Sequence, residues 1–170
     1  GSIWGVIKFG SRPSRLTKRL YAITAGTATL TLREELSRRS EQVTEAVQVL
    51  MRQAVDGFIG PLVDLVHATA GYEDAVGVAL GPLTQALVVR DRQALAQCRS
   101  LLTSQQLHGC RFLVLSDCPI ALAVGQPPLL DGMVGAVREY LRVEPLYQPL
   151  LDWLLNDSWV VEDIDRLLSR

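Results

Sequence analysis

The residues whose chemistry is plainest from their type are basic side chains near the start of the chain. Residues 1–33 contain six lysines and arginines and no acidic residue. Such a stretch can neutralise phosphates and so bind nucleic acid weakly, without reading its sequence. The alternative is a solvated basic arm that only keeps the protein soluble. The candidate DNA contacts lie in this stretch and in the segment just after it: Arg12, Arg15, Lys18, Arg19, Arg33, Arg38 and Arg39.

The rest of the chain is mildly acidic. From residue 57 onward there are eight basic and thirteen acidic residues. Attraction to phosphates must therefore come from the N-terminal segment or from a local patch. With 170 residues, 48% of them hydrophobic, the chain is long enough for one compact domain plus an appendage. No apolar run approaches the roughly 20 residues that span a bilayer, so we expect no membrane partner.

No combination of residues predicts an enzyme, a bound cofactor or a metal site. Asp64 and Glu139 occupy matching positions of a duplication, but matching positions do not bring two carboxylates close enough for acid–base catalysis. The chain lacks a G-x-S-x-G turn and the lysine-containing glycine loop that binds ATP phosphates. Its three cysteines and two histidines have no metal-ligand spacing. The cysteines are typical of buried thiols in a reducing cytosol.

Four glycines stand out because they recur in pairs. Gly57 and Gly60 flank one apolar stretch, and Gly132 and Gly135 flank another 75 positions later. The ordinary role of such glycines is a turn or the close approach of another backbone. Apolar strands beside them leave sheet edges that invite pairing. We therefore predict that these four glycines lie at a dimer interface where backbones come close together.

The glycines belong to a longer internal duplication. Residues 57–66 match residues 132–141, and the register holds through Tyr72 against Tyr147, Val76 against Leu151 and Leu80 against Leu155. It then slips by three, so that residues 88–91 match residues 160–163. Two copies predict a pseudo-symmetric domain, since a solenoid needs three or more. Two similar surfaces at opposite ends suit an assembly device better than a single catalytic cleft.

Strand and helix signals alternate, which predicts a mixed α/β or α+β fold. Gly81-Pro82 predicts the end of a helix, and Asp91 is a candidate N-cap. The predicted strands are Phe58 to Val66, Leu83 to Val89, Arg111 to Leu115, Met133 to Val143 and Trp159 to Val161. The predicted helices are Leu32 to Ala54, Tyr72 to Leu80, Arg92 to Leu102, Tyr147 to Leu155 and Asp163 to Arg170.

The sequence predicts five segments. Residues 1–31 are an uncertain basic segment, either a hairpin pairing residues 20–24 with 27–31 or an engineered addition, since Gly1-Ser2 is typical of a cloning remnant. Residues 32–55 form an amphipathic helix, either the tip of a coiled coil or a helix packed on its own domain. The body follows as a first half (56–118), a proline-rich linker (119–131) and a second half (132–170).

Together these motifs resemble the hinge domain of structural maintenance of chromosomes (SMC) proteins. The resemblance covers roughly residues 55–170. Residues 111–115 are similar to the central strand of that hinge, and residues 132–161 to its second half. Its opening is matched by residues 57–66, 71–76, 79–81 and 87–89.

The resemblance implies a pseudo-two-fold duplicated domain with mixed sheets and flanking helices, preceded by a coiled-coil helix. SMC hinges join two coiled-coil arms and dimerise two chains, and the dimer contacts DNA during chromosome condensation and segregation. ATP is hydrolysed at distant head domains, and kleisin-type subunits bind other parts of the protein. The resemblance therefore favours a bacterial, cytoplasmic, nucleoid-associated homodimer that touches DNA weakly and without sequence preference.

Two functions of other classes stay open. One is a small α/β domain that binds a ligand or catalyses a reaction at a site assembled from loops. The other is a purely structural coiled-coil connector with no affinity for DNA.

Overall fold

The computed structural model describes residues 5–8, 19–21, 30–119 and 132–161, with side chains from residue 41 onward. The described residues fall into two compact units that alternate along the chain. The arm unit contains residues 30–65 and 82–118, and the terminal unit contains the remainder. The predicted helix from Asp163 to Arg170 and nearly all of the predicted linker lie outside the described residues. The five predicted segments stay a prediction.

The elements follow one another in this order: β1 (Gly5–Lys8), β2 (Arg19–Tyr21), α1 (Leu30–Arg52), β3 (Phe58–Pro61), α2 (Leu62–Leu65), β4 (His67–Ala68), α3 (Glu73–Leu80), β5 (Leu87–Val89), α4 (Arg92–Ser104), β6 (Phe112–Val114), β7 (Met133–Ala136), β8 (Leu141–Arg142), α5 (Gln148–Leu155) and β9 (Ser158–Val161). Turns of 3₁₀ helix cover Gly81–Gln85, Leu115–Asp117 and Val137–Tyr140.

The arm unit is a three-stranded sheet with two helices packed on it. Its strand order is β3-β5-β6, with β5 antiparallel to β3 and parallel to β6. Helices α1 and α4 contribute to one core because each has an apolar stripe. The buried members of that core are Ala46, Leu50, Leu87, Val89, Ala94, Cys98 and Leu102.

The terminal unit contains a four-stranded antiparallel sheet in the order β2-β1-β9-β7. All four residues of β9 are buried, as a strand between two others requires. A separate two-stranded ladder joins β4 to β8. Helices α3 and α5 bury an apolar face made of Ala75, Val76, Ala79, Leu80, Leu150, Leu151 and Leu155.

The duplication predicted from the sequence is confirmed in the backbone. In the first copy, the β3–β5 register shifts between Phe58 and Gly60. In the second copy, the β7–β9 register shifts between Met133 and Gly135, the equivalent positions. Each copy then continues into a helical turn, a two-residue strand and an eight-residue helix. The bulge and its glycine therefore occur at the same place in both copies, and they give β3 and β7 the same local geometry.

Two local signals are also confirmed. Helix α3 ends at Leu80, and Gly81 follows with φ +52°, a conformation that costs glycine little. The Asp91 side chain accepts a hydrogen bond of 2.8 Å from the Ala94 N–H and so caps α4. Both signals depend only on neighbouring residues, which explains why the sequence contains them.

The predicted strands are too long. The strand expected from Phe58 to Val66 stops at Pro61, because proline has no N–H to continue the ladder and Leu62–Leu65 turn into α2. The strand expected from Met133 to Val143 is interrupted by the turn at Val137–Tyr140. The strand expected from Leu83 shortens to Leu87–Val89. A short apolar run in a sequence does not distinguish a strand from a buried helical turn, which explains these differences.

The predicted N-terminal hairpin is wrong in its pairing. Residues 30–31 belong to α1, so they are not a strand. Arg19–Tyr21 is a strand, as expected for part of that segment, but its antiparallel partner is β1, where Val6 faces Tyr21. Residues 22–29 lie outside the described part of the chain.

Candidate interaction surfaces

The structure describes only the backbone at four of the seven candidate DNA contacts. Arg19 lies in β2, and Arg33, Arg38 and Arg39 lie in α1. Arg12, Arg15 and Lys18 lie outside the described residues. Whether the seven side chains form one contact surface stays a prediction.

Gly57 and Gly132 share a backbone conformation that favours glycine. Their φ angles are +81° and +84°, which L-residues with a Cβ rarely adopt. Gly57 is also crowded, because a Cβ there would lie 2.7 Å from the Cβ of Ala94 in α4. A Cβ at Gly132 would meet nothing within 4 Å. Gly57 therefore combines a turn with close packing, whereas Gly132 supplies only the turn.

In the second pair of equivalent glycines, Gly60 and Gly135, it is the glycine of the second copy that is crowded. Gly60 has φ +147°, and a Cβ there would meet nothing within 4 Å. A Cβ at Gly135 would lie 2.8 Å from both the Tyr140 hydroxyl and Glu139 Oε2. Among the described residues, the nearest atoms to a Cβ at Gly135 therefore belong to side chains, and none comes within 4 Å of a Cβ at Gly60. The expected close approach of a backbone stays a prediction for a partner chain.

Tyr140 fills the space in front of Gly135. Its ring stacks on that of Tyr72 with centroids 4.0 Å apart and planes 14° from parallel. Its hydroxyl donates to the Val134 carbonyl at 3.4 Å. Burial raises the pKa of Tyr140, and Tyr72 and Glu139 raise it further. The first copy has Leu65 at the position that matches Tyr140, so Gly60 has no equivalent tyrosine beside it.

Strands β4 and β8 pair only with each other. Among the described residues, the edge strands of the two larger sheets are β3 and β6 in the arm unit and β2 and β7 in the terminal unit. Two of them, β3 and β7, carry the matching bulges. Exposed aliphatic side chains accompany them: Val63, just after β3, is 56% exposed, and Val134 in β7 is 38% exposed. Open edges with apolar side chains are surfaces on which another strand can pair.

Sequence reasoning missed an ion-pair cluster at the start of α4. Arg90 donates to Asp56 at 2.8 Å and to Asp91 at 3.0 Å, and both contacts raise the pKa of Arg90. The pKa of Asp91 is lowered, first by the Ala94 N–H and then by Arg90. Arg92 donates to both oxygens of Asp117, at 3.0 and 3.1 Å. Arg90 and Asp56 are 34 positions apart in the sequence, so no local sequence pattern predicts their contact.

The remaining chemistry candidates are placed as follows. Asp64 lies in α2 of the arm unit and Glu139 in a 3₁₀ turn of the terminal unit. Cys98, Cys110 and Cys118 are free thiols, and burial raises the pKa of each. Among the described residues, no three histidine, cysteine or acidic side chains cluster in a way that could hold a metal ion.

None of the helices described is both long and apolar enough to cross a bilayer.

Comparison with known proteins identifies the family. A family model described as the SMC proteins flexible hinge domain matches residues 55–166. The Chromosome partition protein Smc of Thermoplasma acidophilum is 28% identical over 131 residues, which cover 74% of this chain and 12% of that protein. Its namesake in Fusobacterium nucleatum is 23% identical over 130 residues, 76% of this chain and 11% of that protein. The chain thus spans a small part of the length of these relatives.

Solved structures show the same fold. The Pyrococcus furiosus Smc hinge domain with an extended coiled coil matches with a TM-score of 0.58 and 22% identity, over 75% of this chain and 46% of that one. An asymmetric dimer of the Geobacillus stearothermophilus SMC hinge domain matches with a TM-score of 0.56 and 21% identity, over 74% of this chain and 60% of that one. The matched region is a hinge and not a catalytic domain. Since the family model covers more than half of its residues, this chain belongs to the SMC hinge domain family.

Proposed function

We propose that this chain is the dimerisation hinge of an SMC chromosome condensation and segregation protein, and that it forms a homodimer. The observation that carries the proposal is the pair of one-sided strands β3 and β7 with matching bulges. Unpaired edges in a soluble domain are normally blunted by charge or covered. Here they carry exposed Val63 and Val134, which favours pairing with a second copy. The similar Geobacillus stearothermophilus hinge is a dimer, which supports the proposal.

The test is self-association measured by sedimentation over a range of micromolar concentrations. We expect the parent chain to dimerise through an interface of about 1,200–2,000 Å² in total. Val134→Lys places a charge on the β7 edge and should weaken the dimer at least tenfold, about 1.4 kcal/mol. Leu146→Lys is the matched control, because Leu146 is 67% exposed and lies outside every strand. A monomeric parent chain, or equal weakening by both substitutions, would contradict the proposal.

The proposal also includes a contact with DNA. The basic N-terminal portion, from Arg12 to Arg39, would bind DNA weakly and without sequence preference, near the junction of the arm helix and the hinge. ATP hydrolysis and contacts with kleisin-type subunits would belong to other regions of such a protein. A cytoplasmic, nucleoid-associated location would follow from DNA binding.

A further inference from the structure

The sequence and the structure disagree about where helix α1 ends. Val47, Leu50 and Ala54 continue its apolar stripe at spacings of three and four, which predicts a helix that reaches Ala54. In the structure the helix ends at Arg52. The residues between Arg52 and Gly57 include neither proline nor glycine, so the sequence contains no helix breaker there. Contacts with other parts of the arm unit must therefore end the helix.

Helix α1 ends in a turn that is unfavourable for Ala54. The Ala54 N–H donates to the Met51 carbonyl at 3.1 Å, and the Val55 N–H donates to the Leu50 carbonyl at 3.4 Å. These two hydrogen bonds form a Schellman motif, in which glycine is the usual residue at the place of Ala54. Ala54 has φ +47°, which disfavours a residue with a Cβ by about 5- to 30-fold. Alanine also has the highest helix propensity, so both preferences of Ala54 oppose the turn.

Contacts with the start of helix α4 hold this turn in place. The Arg90 guanidinium donates to Asp56 at 2.8 Å and to Asp91 at 3.0 Å. The Arg90 N–H donates to the Gly57 carbonyl at 2.8 Å. Gly57 lies so close to Ala94 that a Cβ at Gly57 would be 2.7 Å from the Cβ of Ala94. These contacts require that the chain has left the helix before Asp56, and they therefore favour the turn.

The forces on the two sides of this balance are both modest. Val55 favours the turn, because it packs against the core that contains Leu50. The ion pair between Arg90 and Asp56 favours it too, but the two side chains are 57% and 83% exposed. Exposed ion pairs are weak and are screened by salt. An exposed ion pair thus acts against the local preference of Ala54, so loss of that pair changes the balance.

We propose that residues 53–57 form a two-state joint between α1 and the sheet of the arm unit, and that Arg90 is the positioning residue that selects its state. In the stopped state, which the structure shows, α1 ends at Arg52 and Arg90 holds Asp56. In the extended state, α1 continues as a helix through Asp56, which adds about one turn, or roughly 6 Å. Only Gly57 then connects α1 to β3, so the direction of α1 relative to the sheet changes. The joint lies within one chain and does not depend on dimerisation.

Nuclear magnetic resonance on the whole chain tests the joint. Backbone chemical shifts and relaxation dispersion at residues 54–56 give the populations of the turn and of the helix. Arg90→Gln should raise the ratio of extended to stopped chains about two- to fivefold, the effect expected for loss of an exposed ion pair. Arg92→Gln is the matched control, because Arg92 is also exposed but binds Asp117. High salt should act on the parent chain as Arg90→Gln does, and it should have little further effect in that variant.

Ala54→Gly tests whether the preference of Ala54 drives the extended state. Glycine accepts the positive φ and is a poor helix former, so the ratio of extended to stopped chains should fall at least about tenfold. This substitution should therefore cancel the effect of Arg90→Gln in the double variant, which a general loss of stability would not explain. Gln106→Gly is the control, because Gln106 has φ +59° in the same motif at the end of α4. It should leave residues 54–56 unchanged.

Three results would overturn the proposal. The first is the absence of a helical state at residues 54–56 in both the parent chain and Arg90→Gln. The second is an equal effect of Arg92→Gln, and the third is a failure of Ala54→Gly to reverse the effect of Arg90→Gln. If Arg90→Gln disturbs the fold of the arm unit, Asp56→Asn takes its place. That substitution keeps the Arg90 contact with Asp91, and asparagine and aspartate have similar helix propensities.

Discussion

His67 lies directly opposite Arg142 in the β4–β8 ladder, and the two residues occupy equivalent positions of the duplication, 75 positions apart. An antiparallel contact in which a position meets its own equivalent is the arrangement of an isologous interface. The ladder therefore marks a local two-fold axis within one chain. The duplicated copies meet each other here as two identical chains meet in a symmetric dimer.

The first prediction compares two equivalent glycines. Gly57→Ala should destabilise the fold by about 2–4 kcal/mol, because a positive φ and a Cβ contact of 2.7 Å with Ala94 both oppose it. Gly132→Ala should cost only about 1–2 kcal/mol, since its φ is also positive but the space is open. Denaturant unfolding measures both free energies. Equal losses of unfolding free energy in the two variants would contradict the prediction, because they would mean that the contact with Ala94 adds no cost.

The second prediction concerns the space in front of Gly135. Gly135→Ala should cost about 1–3 kcal/mol, because the new Cβ would crowd the Tyr140 hydroxyl and Glu139. Tyr140→Leu copies the residue of the first copy, and in that background the cost of Gly135→Ala should shrink. The double-mutant cycle from denaturant unfolding gives the coupling free energy. Gly60→Ala is the control, because its cost comes from φ and should not change with residue 140. No coupling between residues 135 and 140 would contradict the described packing.

The third prediction concerns pH. The pKa of Asp91 is lower in the folded state, first through the Ala94 N–H and then through Arg90. A lowered folded-state pKa stabilises the fold above the unfolded-state value of about 3.9, and this contribution is lost as the pH falls below it. Asp91→Asn keeps a capping oxygen but not the charge, so stability should depend less on pH below about pH 4. Thermal unfolding across acid pH measures this effect. Asp64→Asn is the control, and the same flattening in both variants would exclude Asp91 as the source.

The fourth prediction concerns DNA. With three to five phosphates neutralised, log affinity should fall against log salt with a slope of about −3 to −5 for duplex DNA. Charge reversal of Arg12, Arg15, Lys18 and Arg19 should flatten that slope and leave dimerisation unchanged. Reversal of four other exposed arginines, Arg52, Arg99, Arg111 and Arg142, is the matched control. No binding by the parent chain at low salt would favour a purely structural connector, and equal effects of both sets would move the DNA surface elsewhere.

Sequence reasoning succeeded where a signal is local and failed where a partner is distant. The end of α3 and the cap of α4 depend on Gly81 and Asp91 themselves, so both could be predicted. The pairing of β2 with β1 could not, because β-branched stretches do not specify their partner. The Arg90 contact with Asp56 depends on the β3–β5 register, which brings the two distant segments together. The four glycines could be singled out by duplication, but their surroundings required coordinates, since equivalent positions are crowded in one copy and open in the other.

The pairing of Gly5 with Val161 has a consequence for synthesis on the ribosome. These residues are 156 positions apart, so β1 emerges early and must wait for β9, whereas the arm unit is complete once residue 118 has emerged. Contacts of such long sequence separation form late, because their loop-closure entropy is large. During that interval β1 has no β9 with which to pair, although the arm unit can already fold.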